Sequence, residues 1–397
     1  MGKYNFDKPI NRKGTYAVKW ERLPQGNEKD ALPLWVADMD FPTAEPILKA
    51  LRKRVDRGVF GYTYYDDEVK SAVTGWYKKR YDWIVKGEDV LFSPGLVAGI
   101  ATMVNILTNE GDGIIIQPPV YHLFGMKIRS NKRVAVNNPL ILKDGRYEMD
   151  YDDLDKKMAD PNNKGLMLCS PHNPSGRVWS EEELAKVIEI AKKHGKWVVS
   201  DEIHADTTRK GIKFTPLAKV AGGYADEVIT LTAPSKAFNL AGLHMSNIVI
   251  TKKEYKNLYN NWVNERLNVG AVNPFALAAN LAAYTEGEEW LCECNDYIDG
   301  NVDYCMEFFK KHLPKSNPIY IEGTYLFWVN LSNYESDPKR LERLMKEEAK
   351  VALNDGHVFG VEGEGFQRIN LACPRFLLEE CLKRMRAVLL KNCDHTL

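Results

Sequence analysis

Residues 165–201 read GLMLCSPHNPSGRVWSEEELAKVIEIAKKHGKWVVSD, and the succession of patterns within them decides the fold. "GLMLCS" (165–170) and "KWVVSD" (196–201) are short apolar runs bounded by turn residues, as buried strands are. Between them, "SEEELAKVIEIAKKHG" (180–195) has a helical period. Leu184, Val187, Ile188 and Ala191 fall on one face, Ser180 and Glu183 form a capping box, and Gly195 stands where the helix should stop. Strand–helix–strand units of this length imply a largely parallel sheet with both faces covered.

Working outward, "GIII" (113–116), "EVITLT" (227–232) and "NIVI" (247–250) repeat the strand pattern. Residues 1–45 are loop-rich. Residues 290–397 combine helical charge patterning ("PKRLERLMKEEAK") with short strands ("YLFWVNL", "FQRINLA"). The expected architecture is α/β: a large domain over 46–289, with a mostly parallel central sheet flanked by helices. A smaller α+β domain is expected from both termini, 1–45 and 290–397. No internal repeat or low-complexity linker interrupts this plan, and 397 residues supply ample core.

Composition narrows the function classes. Lys+Arg and Asp+Glu both number 54, so nothing favours a nucleic-acid or anionic-membrane partner, which would want a basic excess. Seven cysteines, an odd count without paired spacing, do not make a disulfide framework. Cys292 and Cys294 lack the second pair that a zinc site needs, so no metal is expected. The N-terminus has no apolar h-region and Phe6 replaces the Ser or Thr of a myristoylation motif. No run reaches the ~18 apolar residues of a membrane span. The expected location is the cytoplasm.

Three polar residues follow directly on expected strand ends: Asn173, Asp201 and Lys236. Open α/β sheets bind ligands at the carboxyl ends of their strands, so these three converge on one site. In "APSKAFNLAGL" (233–243) Lys236 lies among small and apolar neighbours, which disfavours its charged form and frees the amine as a nucleophile. The usual use of such an amine is a Schiff base with a carbonyl. With Asp201 to keep a pyridine nitrogen protonated, the pair suggests pyridoxal 5′-phosphate (PLP). "FSPGLVAGIATMVNIL" (92–107) reads as a strand end, a Ser-Pro-Gly turn at Gly95 and a helix. The free N–H groups of Leu96 and Val97 suit a phosphate, and Ser235 could add a hydroxyl.

"LPLWVADMDFPT", "VFGYTYY", "CSPHNPSGRVW", "VVSDEIHAD", "APSKAFNLAGL" and "INLACPR" occur in this order along essentially the whole chain. Together they resemble the fold-type I PLP-dependent enzymes of the aminotransferase superfamily, and within them the PatB/MalY-type cystathionine β-lyase group. That resemblance implies an α,β-elimination of cystathionine or a related cysteine S-conjugate to thiol, pyruvate and ammonia. It implies that Lys236 is both the Schiff-base residue and the acid/base at Cα, and that Asp201 pairs with the pyridine nitrogen. Asn173 is implied to bind the cofactor's phenolic oxygen and Tyr121 to stack on its ring. Tyr62 would reach the phosphate held by a neighbouring subunit, which makes the protein a homodimer. Arg368 would grip the substrate α-carboxylate, with the backbone around Ala37 and Asp38 closing on it.

The chain departs from its aminotransferase relatives at three places. His244 stands where they often carry a phosphate-binding arginine, His204 where they often carry a tyrosine, and Ala237 where Thr or Ser commonly follows the lysine. The two histidines resemble the β-lyase group, and His204 is a candidate cofactor contact; a satisfied buried histidine explains either one equally well. An aminotransferase or an amino-acid racemase could use the same residues, since all three reactions share proton removal at Cα. A regulatory binding protein that kept the fold is a further alternative, although Lys236, Asp201 and Arg368 are all present. His204-Ala-Asp206 fits half of a 2-His-1-carboxylate iron site, which belongs to a different fold class. There is no G-x-G-x-x-G after a strand to bind a dinucleotide.

Overall fold

The structure, a computed structural model, describes residues 2–23 and 30–394. Its main sheet has seven strands: β1 (Val90–Ser93), β2 (Gly113–Ile116), β3 (Val134–Asn137), β4 (Asn163–Cys169), β5 (Trp197–Asp201), β6 (Val228–Thr232) and β7 (Ser246–Val249). Their spatial order is β1-β7-β6-β5-β4-β2-β3. β7 is antiparallel to both of its neighbours, and the remaining pairs are parallel. β7 is thus a strand as the sequence predicts, but a reversed one. An apolar run bounded by turns carries no directional signal.

Alternate residues of the central strands enter different apolar clusters, because side chains of a strand point to opposite faces. Ile115, Leu166, Leu168 and Val198 join one cluster, whereas Ile114, Ile116, Met167 and Val199 join the other. The helix between β4 and β5 spans Glu181–Lys193 and buries Leu184, Val187, Ile188 and Ala191. Its first turn is closed by the expected capping box. The Glu183 N–H donates to Ser180 Oγ at 3.2 Å, and the Ser180 N–H donates to Glu183 Oε2 at 2.8 Å.

A second, antiparallel sheet comprises β8 (Asn317–Ile319), β9 (Leu326–Asn330), β10 (Asn354–Asp355) and β11 (Phe366–Asn370), in the order β8-β9-β11-β10. The N-terminal segment lies beside it, the Asn370 N–H donating to the Leu34 carbonyl at 2.9 Å, and forms a separate two-stranded ladder. Leu32–Pro33 pairs in parallel with Val351–Ala352, and Asn370 Nδ2 donates to the carbonyls of Val36 and Asp38 at 2.6 and 2.7 Å. Buried Lys19 pairs with Asp40 at 2.7 Å, and Arg12 bridges Asp38 and Asp40 at 2.7 and 2.8 Å. Residues 35–40 are therefore a strap held between the second sheet and the strand ends of the first. In the "PKRLERLMKEEAK" stretch the α-helix covers Pro338–Arg343 and widens to a π-turn over Leu344–Glu348.

Among the described residues the cysteines are free thiols, with Cys292 exposed and Cys294 buried; the side chain of Cys393 lies outside the described residues. No group of three or more His, Cys, Asp or Glu among them could hold a metal ion. No described helix is long and apolar enough to cross a membrane.

Candidate active site

The register of the parallel strands sets Cys169, Asp201 and Leu231 level at the carboxyl ends of β4, β5 and β6. Beyond these ends lies a cavity of about 510 Å³, within the usual size of a small-molecule site. Its lining includes Ala37, Gly95, Leu96, Val97, Tyr121, Asn173, Asp201, His204, Ser235, Lys236, His244 and Arg368. The sequence-predicted residues thus meet at one place, apart from Tyr62 and Asp38.

Lys236 lies in the short helix Pro234–Ala237, directly after β6. Its Nζ donates to the carbonyl of Ala37 at 2.5 Å. Burial lowers its pKa from 10.5 to about 8, against the opposing pull of Asp38 and with the help of Arg368. Asp201 is buried at the end of β5 and accepts the N–H of Ile203 at 3.1 Å. Burial raises its pKa to about 7, since the N–H of Ile203 and the charge of Lys236 offset desolvation only in part. A buried carboxylate with so little compensation is short of a cation.

Arg368 reaches the cavity from β11 and is itself buried. Nη1 donates to Asn173 Oδ1 at 2.9 Å; Nη2 donates to the Trp35 carbonyl at 3.0 Å and to Asn354 Oδ1 at 2.5 Å. Its Nε is buried with no partner among the described residues. The guanidinium lies over the Phe359 ring, 4.8 Å from the centroid, and burial lowers its pKa to about 10. Its acceptors are all neutral, and a buried cation without a counter-charge attracts an anion.

The helix Leu96–Leu107 opens onto the same cavity. Its first N–H groups, those of Leu96 and Val97, have no acceptor within the helix. Gly95, with φ +96° and ψ 151°, occupies backbone space that is essentially confined to glycine. A Cβ built on Gly95 would lie 3.7 Å from His244 Nδ1, which places His244 beside this turn.

Tyr121 lines the cavity half-buried, its pKa pushed up to about 12 by burial and by Asp201. His204 has a buried Nδ1 with no partner among the described residues, lies edge-on to Tyr325, and is driven well below its ordinary pKa by burial and by Lys236. Asp206 does not share the cavity; Trp76 and Tyr81 donate to it at 3.1 and 2.5 Å. His204 and Asp206 therefore do not converge as iron ligands would. Asp38 is spent within the strap: its carboxylate pairs with Arg12, and its carbonyl accepts from Lys19 at 3.2 Å. Tyr62 is fully exposed and lines a separate surface cavity.

Sequence reading missed Trp35, His122 and Asn354, which also line the cavity. Trp35 acts through its carbonyl, which no sequence signal marks. His122 directly follows Tyr121, and that adjacency was the available hint.

The residues fit PLP. Asp201 lacks a cation, the Gly95 turn and helix N-terminus offer donors to a phosphate, and Lys236 carries an amine of lowered pKa between them. Fold and site together define an α/β enzyme of the kind that holds a carbonyl cofactor on a strand-end lysine. Residues 29–385 match the family model described as aminotransferase class I and II, and the chain belongs to that family. It is 42% identical over 386 residues to the cystathionine β-lyase PatB of Bacillus subtilis, covering 97% of this chain and all of the relative. Among solved structures, the PLP-bound C–S lyase of Staphylococcus hominis superposes with a TM-score of 0.92 at 39% identity, covering 98% of both chains. Cystalysin of Treponema denticola, which contains PLP, superposes with a TM-score of 0.94 at 36% identity, covering 98% of this chain and 99% of that one.

Proposed function

We propose that the protein is a PLP-dependent carbon–sulfur β-lyase that converts L-cystathionine or a related cysteine S-conjugate, with water, to a thiol, pyruvate and ammonia. The observation that carries it is the meeting of Lys236, Asp201 and Arg368 in one cavity, in a chain similar throughout its length to PatB. Bound PLP supplies the electron sink for the charge left at Cα.

The chain's own residues divide the remaining work. Arg368 binds the α-carboxylate and so orients the substrate. The neutral amine of Lys236 takes the proton from Cα and returns one to the departing sulfur; positioned acid–base catalysis of this kind is typically worth ~10²–10⁴ in rate. Asp201 holds the proton on the pyridine nitrogen. The N–H groups of Leu96 and Val97, with Ser235 and His244, bind the phosphate. Asn173 spends Oδ1 on Arg368, which leaves Nδ2 to donate to the phenolic oxygen, and Tyr121 covers the ring. The same reading makes the protein a cytoplasmic homodimer in which Tyr62 serves the partner's site. It divides the chain into a large unit, 46–289, and a small unit from both termini.

The test mixes PLP-loaded protein with L-cystathionine and follows pyruvate and free thiol, with and without an added 2-oxo acid. The expected result is equal pyruvate and thiol with no 2-oxo acid present. Turnover that waits for the 2-oxo acid and yields a new amino acid would make it an aminotransferase instead; inversion at Cα without thiol release would make it a racemase.

A further inference from the structure

Arg368 has fewer donors to offer than its position suggests. A guanidinium has five N–H groups and grips a carboxylate through either of two parallel forks, Nε with Nη2 or Nη1 with Nη2. Both forks use Nη2. Here both Nη2 hydrogens are already donated, one to the Trp35 carbonyl and one to Asn354 Oδ1. A two-point grip on an α-carboxylate therefore requires one of these contacts to yield.

The two contacts are not equally able to yield. Trp35 belongs to the strap. Its Nε1 donates to the Lys19 carbonyl at 2.9 Å, and the next carbonyl, that of Val36, accepts from Asn370 at 2.6 Å. Moving the Trp35 carbonyl means moving a backbone that is tied on both sides. The Asn354 contact is made by a side-chain amide, which needs only rotation about its own bonds. Asn354 lines the cavity, and β10 is fixed opposite Arg368 by the register of the second sheet.

We propose that Asn354 determines the preference for an α-carboxylate: its Oδ1 holds Arg368 until the substrate arrives, and the carboxylate then displaces Oδ1 and accepts from Nδ2. The side chain is thus a competitor in one orientation and a donor in the other. Oδ1 and Nδ2 occupy equivalent positions of one planar group, so a half-turn of the amide exchanges them without displacing β10. This rests on the proposed role of Arg368 as the carboxylate clamp.

The experiment compares a reactive cysteine S-conjugate with its methyl ester, in PLP-loaded wild type and in Asn354→Asp and Asn354→Ala. Binding of 3-(methylthio)propionate, an unreactive carboxylate, is measured by calorimetry in parallel. Asn354→Asp places a permanent anion against Arg368 and supplies no donor. The acid-over-ester ratio in kcat/KM should fall about 10- to 100-fold, as loss of a charged hydrogen bond implies. The ratio should fall through KM for the acid, with the ester changing less than about threefold. The propionate should weaken in parallel. Asn354→Ala removes the donor and the competing Oδ1 together without adding charge; the lost donor outweighs the lost competitor, and the ratio should fall by about 3- to 10-fold. An unchanged ratio in Asn354→Ala, or an equal loss for acid and ester, overturns the proposal. If wild type itself does not prefer the acid, the role of Arg368 falls and the proposal with it; if it does, an unchanged ratio in the variants removes Asn354 alone.

Discussion

An amine that ordinarily keeps its proton to 10.5 gives it up near 8 at Lys236, because burial costs the ammonium more than Asp38 and Asp201 return. The sign of this shift has a measurable consequence. Only the neutral amine attacks a carbonyl, and a lowered pKa makes that form abundant from about pH 8 instead of from above 10. The rate at which cofactor-free protein takes up PLP, followed by the visible absorbance of the lysine-bound cofactor, should rise about tenfold per unit below pH ~8 and then level off. A rate still climbing at pH ~10 would mean that the reacting amine is an ordinary solvated lysine. Lys236→Ala should show neither the absorbance nor turnover. Much of this was legible beforehand: a lysine among small residues after a strand run is an anomaly that points to chemistry. Asn354 was not legible, since a two-residue strand (Asn354–Asp355) is too short to show a period and nothing nearby marks its partner.

Two helices of similar length show how differently the same secondary structure is used. Glu181–Lys193 is capped by its own sequence, through Ser180 and Glu183. Leu96–Leu107 has no side-chain cap among the described residues, and its N-cap is Gly95 in a conformation that glycine favours. Capping by a side chain would fill the place where a ligand's anion can bind, so the uncapped end at Gly95 suits the proposed phosphate site. Ser180→Ala should cost about 1 kcal/mol of stability and leave PLP affinity unchanged. Gly95→Ala should cost about 1–3 kcal/mol through backbone strain and also weaken PLP binding. Denaturant titration of the cofactor-free proteins and PLP titration check both; equal PLP affinity in Gly95→Ala and wild type would remove this turn from the phosphate site. The first helix could be read from its period and capping box. The partners of β1, β3 and the reversed β7 could not, because pairing and direction depend on which strands lie beside them.

At the scale of the whole molecule, the residue left over is Tyr62. It stands fully exposed, Val59, Phe60 and Tyr64 in the same segment are exposed as well, and exposed apolar side chains grouped along a segment suit the proposed contact with a second copy. If it serves the site of a second copy, each site draws Lys236 from one chain and Tyr62 from the other. A mixed dimer of Tyr62→Ala and Lys236→Ala chains then contains one site with both defects and one site with none. Random reassortment makes half of the dimers mixed, and half of their sites whole, so activity should recover to about a quarter of wild type from two nearly inactive parents. If Tyr62 served its own chain, every site of the mixed dimer would carry one defect and nothing would recover. Recovery measured after co-refolding the two variants separates these cases, and it does so without depending on which thioether the enzyme prefers, because any turned-over substrate reports the same fraction.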